Sequence, residues 1–217
     1  MVRRGGDLAC RRLPGELARL LHDLRGPLNS AGIHLEVLKR VVANDPIAAD
    51  SLRVVIEQLA RIADMLPDAL TVASVEVGPL QPISLRDVAA QATAPYGPDV
   101  VVEAHEWPAV LGDTAALVLA LGELIGNAVE ATKDGAPPPR VTAARAAGEV
   151  VVSVRDRGEG LPTTNPKLLV RLGHSAKPGH RGYGLLVAER IARLHGGRLN
   201  FESTPEGATV SLVLPAP

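Results

Sequence analysis

The sequence predicts an α+β protein in two parts, an N-terminal helical hairpin followed by an α/β sandwich. Three observations carry this expectation. The first third holds two runs of apolar side chains at heptad spacing, separated by a helix breaker. The last two thirds alternate helical and strand-like segments, several of the strands forming hairpins. Between them, Val77–Pro82 is rich in Gly and Pro and reads as a connector. The expected divisions are an N-terminal extension over 1–12, the hairpin over 13–76, a linker over 77–83 and the sandwich over 84–217.

In the first helix Leu17, Leu21, Leu24, Leu28, Ala31, Leu35, Leu38 and Val42 recur at steps of four and three, a seam of several turns. Asn44-Asp45-Pro46 interrupts it, and proline suits the start of the next helix. The second seam is Leu52, Val55, Leu59, Ile62 and Leu66, and Pro67 is expected to kink or end that helix. Two antiparallel helices with one seam each cannot bury themselves, so pairing with a second copy into a four-helix bundle is expected. A hairpin that folds onto its own C-terminal part is the alternative. Further on, Leu85–Thr93, Thr114–Lys133 and Tyr183–His195 read as helices. Val100–Ala104, Arg140–Arg145, Glu149–Arg155, Arg198–Ser203 and Ala208–Leu214 read as strands, with turns at Ala146-Ala147-Gly148 and Pro205-Glu206-Gly207.

Composition bounds the rest. Apolar residues are 46% of the 217 and aromatics 2%, so the core is built from Leu, Val, Ile and Ala. The 23 basic and 24 acidic residues leave a net charge of −1, which gives no support for nucleic acid as a partner. A single cysteine, Cys10, cannot close an internal disulfide and suits a reducing cytoplasm. No apolar run is read as long enough to cross a bilayer, so no membrane insertion is expected.

Four motifs carry chemistry. In His22-Asp23-Leu24-Arg25-Gly26-Pro27-Leu28, His22 follows a seam position and points off the core. A neutral imidazole is a good nucleophile near pH 7, and Asp23 can orient it and take its proton. Pro27 removes a backbone donor and lets the helix bend there. The other histidines, His34, His105, His174, His180 and His195, are read as solvated. The second motif, Glu123–Ala131, puts Glu123, Asn127 and Glu130 on one helical face. The Asn127 amide oxygen can ligate Mg²⁺, although a solvated polar stripe would look the same. The third, Asp156-Arg157-Gly158-Glu159-Gly160, follows a strand. Its carboxylate can accept from an exocyclic amine, and its glycines allow close approach of a flat ring; a plain turn explains it nearly as well. The fourth, Gly179–Leu186, leads glycines into a helix N-terminus that can face phosphate, with Lys177 upstream as a point charge. It is neither a Walker A loop nor a dinucleotide-binding turn.

Taken together and in order, these segments resemble the H, N, G1 and G2 boxes of sensor histidine kinases, over about Leu13–Pro215. The catalytic domain of that family is an ATP-binding fold shared with gyrase and MutL. The resemblance implies His22 as phosphoacceptor with Asp23 as its acid–base partner. It implies ATP and Mg²⁺ as cofactors, with Asn127 on the metal and Asp156 reading adenine. Gly158 and Gly160 would flank the base, Leu161–Arg181 would form a lid with Lys177 in it, and Gly182, Gly184 and Leu185 would lie near the phosphates. The implied partners are a second copy of the chain and a response-regulator receiver domain, whose aspartate takes the phosphoryl group.

Three departures from the family pattern stand out. No Phe-rich box lies between the third and fourth motifs, and Leu168-Leu169-Val170 is its expected substitute. Glu123 stands where these kinases often have Asn; related ATPases carry a water-activating Glu there, so it is an acid–base candidate. Too few residues precede His22 for a sensory domain, so input is expected from a partner, a separate sensory or scaffold protein, or from sequence outside this chain. The competing reading is a histidine phosphotransferase or scaffold whose ATP-binding domain has degenerated.

Overall fold

The computed structural model describes residues 15–42, 44–103, 107–161, 163, 165–170 and 183–217. They fall into two compact units, one ending at Ser74 and one beginning at Val75.

The first unit is two long helices, α1 (Gly15–Val41) and α2 (Pro46–Ala73). Asp45 caps α2: its Oδ1 accepts from the backbone N–H of Ile47 and Ala48 at 3.0 and 3.1 Å, with Pro46 in the first helical position. The heptad seams divide, except that Ala31 is half-buried like its neighbours Leu28 and Leu35. Leu21 is buried and Leu28, Leu35 and Val42 are half-buried, as are Leu52, Leu59 and Leu66 on α2. The alternate seam positions Leu24, Leu38, Val55 and Ile62 are exposed. Of the two outcomes expected at Pro67, an end to the helix is not seen, and α2 runs one and a half turns further. Packing of the buried Leu70 holds the segment in place, and the carbonyl of Pro67 accepts from Thr71 Oγ1 at 2.8 Å.

In the second unit a five-stranded sheet has the order β2 (Val101–Val102), β4 (Arg140–Ala146), β5 (Glu149–Arg155), β7 (Gly207–Pro215), β6 (Arg198–Thr204). The pair β2–β4 is parallel and the other three pairs are antiparallel. Helices α3 (Leu85–Thr93), α4 (Thr114–Ala131) and α6 (Gly184–Leu194) supply the second layer. Alternation in β5 sends Val150, Val152 and Val154 into the interface between layers, where they lie beside Val141 and Leu212. The β4–β5 hairpin turns through Ala147 and Gly148, both at positive φ, 50° and 80°, the geometry that matches strand twist. Strand β2 is shorter than expected, and Ala104 lies outside the described residues.

Three sequence expectations change here. Part of the segment read as a linker is a strand, β1 (Gln81–Ser84), which pairs antiparallel with β3 (Ala109–Gly112). Four-residue strands, one with Pro82 inside it, are too short for alternation to reveal. Helix α4 is long and apolar enough to cross a bilayer, with a mean hydropathy of 1.4, although no such run was expected. Its apolarity follows from its place in the core: Ala116, Leu117, Ala120, Leu121, Leu124, Ile125 and Ala128 are all buried. Finally, His195 is not solvated but buried at the end of α6.

Candidate nucleotide-binding site

Helix α4 starts on an Asp113 cap, whose Oδ1 accepts from the Ala116 N–H at 3.1 Å. Asp113 Oδ2 accepts from the Gly78 N–H at 2.7 Å, and these backbone donors hold the carboxyl below its ordinary range. The helix then presents Glu123, Asn127 and Glu130 at intervals of four and three. Asn127 is exposed, whereas Glu123 is mostly buried. Burial, and secondarily the charge of Glu130, push the Glu123 carboxyl up to about 7.

The first residue of α6 is packed on this face. A Cβ at Gly184 would stand 2.5 Å from Glu123 Oε2 and 3.6 Å from Asn127 Nδ2. A side chain there would have to displace the Glu123 carboxyl, so the second and fourth motifs meet backbone to side chain. Among the described residues no side chain caps the α6 N-terminus, and Leu185 is half-buried in its first turn. The third motif reaches the same helix from the other end. A Cβ at Gly158 would lie 2.5 Å from the Ala131 carbonyl oxygen at the close of α4. Gly160, at φ 80°, is pressed against Ser203 and Thr204 of β6.

Asp156 is 7% exposed. Its Oδ1 accepts from the backbone N–H of Gly158 at 2.9 Å and of Ala208 at 3.0 Å. Those bonds fix the carboxyl plane, and Oδ2 has no hydrogen-bond partner among the described residues. The arrangement offers one oriented acceptor at a strand end beside two glycines, which suits an exocyclic amine on a flat base.

On α1, in the other unit, the His22 side chain is 88% exposed, and its Nδ1 lies 3.4 Å from Asp23 Oδ1. The sequence placed this pair off the hairpin seam, beside the buried Leu21. Lys177, Gly182 and most of 161–181 lie outside the described residues, so the lid and that part of the fourth motif are not placed. Of the substitute for the aromatic box, Leu169 is buried in the short helix α5 (Pro166–Leu169).

Sequence reasoning missed two side chains. Tyr96 is buried beside the α4 face; its hydroxyl donates to the Gly122 carbonyl at 3.4 Å and would stand 2.9 Å from a Cβ at Gly126. Burial, then Glu123 and Glu130, raise its pKa. His195 Nε2 accepts from the Asp113 N–H at 3.0 Å while Nδ1 faces the Ile191 carbonyl at 2.8 Å. Neither sits in a local motif, and both are recognisable only from contacts distant in sequence.

Comparison with known proteins agrees with this geometry. Residues 112–217 match the family described as histidine kinase-, DNA gyrase B-, and HSP90-like ATPase. The chain is 31% identical over 228 residues to the signal transduction histidine-protein kinase AfsQ2 of Streptomyces coelicolor, covering 95% of this chain and 42% of that protein. It is 27% identical to the ATP-binding domain of PrrB from Mycobacterium tuberculosis, with a TM-score of 0.51, covering 64% of this chain and 99% of that one. The fold also matches full-length ShkA, solved with AMPPNP, at a TM-score of 0.60 over 94% of this chain and 46% of that one, with 23% identity. The chain spans about half the length of the curated relatives it matches. With its ATPase domain over 112–217, this chain belongs to the sensor histidine kinase family and spans its catalytic core.

Proposed function

We propose that this chain is an ATP-dependent histidine autokinase that phosphorylates His22 and passes the phosphoryl group to an aspartate of a response-regulator receiver domain. The observation that carries the reading is the buried Asp156 carboxylate, held by two backbone donors with its second oxygen open to a ligand. Adenine would donate its exocyclic amine to that oxygen and lie along Gly158 and Gly160. The triphosphate would extend toward the start of α6, where Gly184 meets the α4 face. Lys177 and Gly182 would complete the phosphate contacts.

Asn127 fits Mg²⁺. Its amide is exposed on that face, and no cluster of three acidic, His or Cys ligands exists among the described residues. Mg²⁺ needs no such cluster, because water and phosphate oxygens complete its shell; bound there, it would neutralise phosphate charge. His22 would attack the γ-phosphorus with one ring nitrogen while Asp23 accepts the proton from the other, and ADP would leave. Glu123, raised to about 7, would act as an acid–base group. The hairpin would pair with a second copy.

Incubation with γ-labelled ATP tests the reading. The expected product carries acid-labile, base-stable label, and His22→Gln abolishes the label while nucleotide binding survives. Equal labelling of the His22→Gln variant overturns the assignment.

A further inference from the structure

The sheet has a basic hollow that the nucleotide site does not use. In the antiparallel register Arg140 of β4 lies directly opposite Arg155 of β5. Directly paired residues point to the same side, and here it is the side away from Val141 and Val154, which face the helices. Arg157, two residues on, lines the same hollow, and Pro137 and Pro138 form its wall. One carboxylate answers this charge: Glu103 Oε2 is ion-paired with Arg140 at 2.6 Å. Neither Arg155 nor Arg157 has an ion pair among the described residues. The buried Asp156 carboxyl between them forms no ion pair with either among the described residues.

Like charges directly opposite across a strand pair destabilise a sheet. Three guanidinium groups against one carboxylate leave two positive charges uncompensated. The planar fork of arginine matches the oxygens of a tetrahedral oxyanion, and two forks beside a rigid proline wall give such an ion a defined seat.

We infer that Arg140, Arg155 and Arg157 form a binding site for a phosphate dianion, free or as a small monoester, on the sheet face opposite the nucleotide site. The charge matches a dianion better than a monocarboxylate, since one carboxylate would leave one positive charge uncompensated. The site is independent of the kinase reading, because no residue in it belongs to the four motifs' proposed phosphate or base contacts.

The test uses the whole chain, titrated with inorganic phosphate and separately with glycerol phosphate, each with and without a saturating non-hydrolysable ATP analogue. Saturable phosphate binding is expected with a Kd of about 1–10 mM, as suits a few partly exposed charge-assisted contacts. It is expected to persist with the analogue bound, and to weaken about fivefold or more in Arg155→Gln and in Arg157→Gln. Phosphate at ten times the parent Kd should raise Tm by about 3 °C in the parent chain and by about half that or less in the variants. Without phosphate, Arg155→Gln should not lower Tm, because it removes a repulsion; a structural arginine would lower it. Binding of both ligands assigns a site that accepts monoesters, and binding of inorganic phosphate alone assigns a free-ion site. The inference is overturned by no saturable binding, by equal binding in the variants, by loss of binding when the analogue is present, by equal effects of acetate, or by a lowered Tm of phosphate-free Arg155→Gln.

Discussion

The backbone N–H of Asp113 donates to Nε2 of His195 at 3.0 Å across 82 residues of chain. The other ring nitrogen, Nδ1, faces the Ile191 carbonyl, so the ring is neutral with its proton on Nδ1. One buried imidazole thus joins the start of α4 to the end of α6, the two helices that present the motifs. Replacing His195 with Phe keeps the bulk but strands a buried backbone donor, at a cost of about 1–3 kcal/mol. Urea denaturation should show a lower midpoint with an unchanged slope. An unchanged midpoint would mean that Asp113 finds another acceptor.

Asp156→Asn should separate folding from recognition. An Asn side-chain oxygen can keep the two backbone donors of Gly158 and Ala208, while its amide nitrogen replaces the open acceptor. Stability should change little. ATP affinity measured by calorimetry should fall about ten- to a hundredfold, as expected for an unmade buried hydrogen bond of about 1–3 kcal/mol. Undiminished binding would remove Asp156 from the adenine site.

Glu123 makes stability depend on pH. Its folded pKa is raised from 4.5 to about 7, so burial favours the protonated form. The contribution is fully present below pH 4.5 and is lost as pH rises through about 7. A shift of about 2.5 units corresponds to at most about 3–4 kcal/mol, less for a carboxyl that water partly reaches. Glu123→Gln should therefore be more stable than the parent at pH 8 and similar to it at pH 4. Any ATP hydrolysis that uses Glu123 as a base should rise with pH through about 7 and vanish in the variant. Parallel stability profiles for parent and variant between pH 4 and 8 would show that Glu123 is not desolvated.

The hairpin's exposed seam residues predict its assembly. Leu24, Leu38, Val55 and Ile62 repeat at heptad intervals and remain uncovered within one hairpin. Light scattering should give a dimer at micromolar concentration. Leu38→Glu with Ile62→Glu should shift it to monomer while α1 and α2 keep their helicity by circular dichroism. A monomeric parent chain would exclude the second copy as the cover for this face.

Local pattern was enough to determine several features by itself. The heptad seams gave both long helices, because a helix that packs along one stripe must repeat apolar residues every three and four positions. Strand-like segments around two turn signals located β4, β5, β6 and β7, and the spacing of Glu123 and Asn127 put them on one face of α4. What only the tertiary structure decided involves partners far apart in sequence. The backbone at Gly184 lies against the carboxyl of Glu123, 61 residues earlier, a contact no local pattern announces. His195 is buried rather than solvated because β3 brings Asp113 to it. Pro67 does not stop α2 because burial of Leu70 outweighs one missing backbone donor. Strands β1 and β3 exist because each pairs with the other across the intervening helix α3, and four residues of either alone hold no readable period. Periodicity records which side of an element is buried; it does not record what buries it.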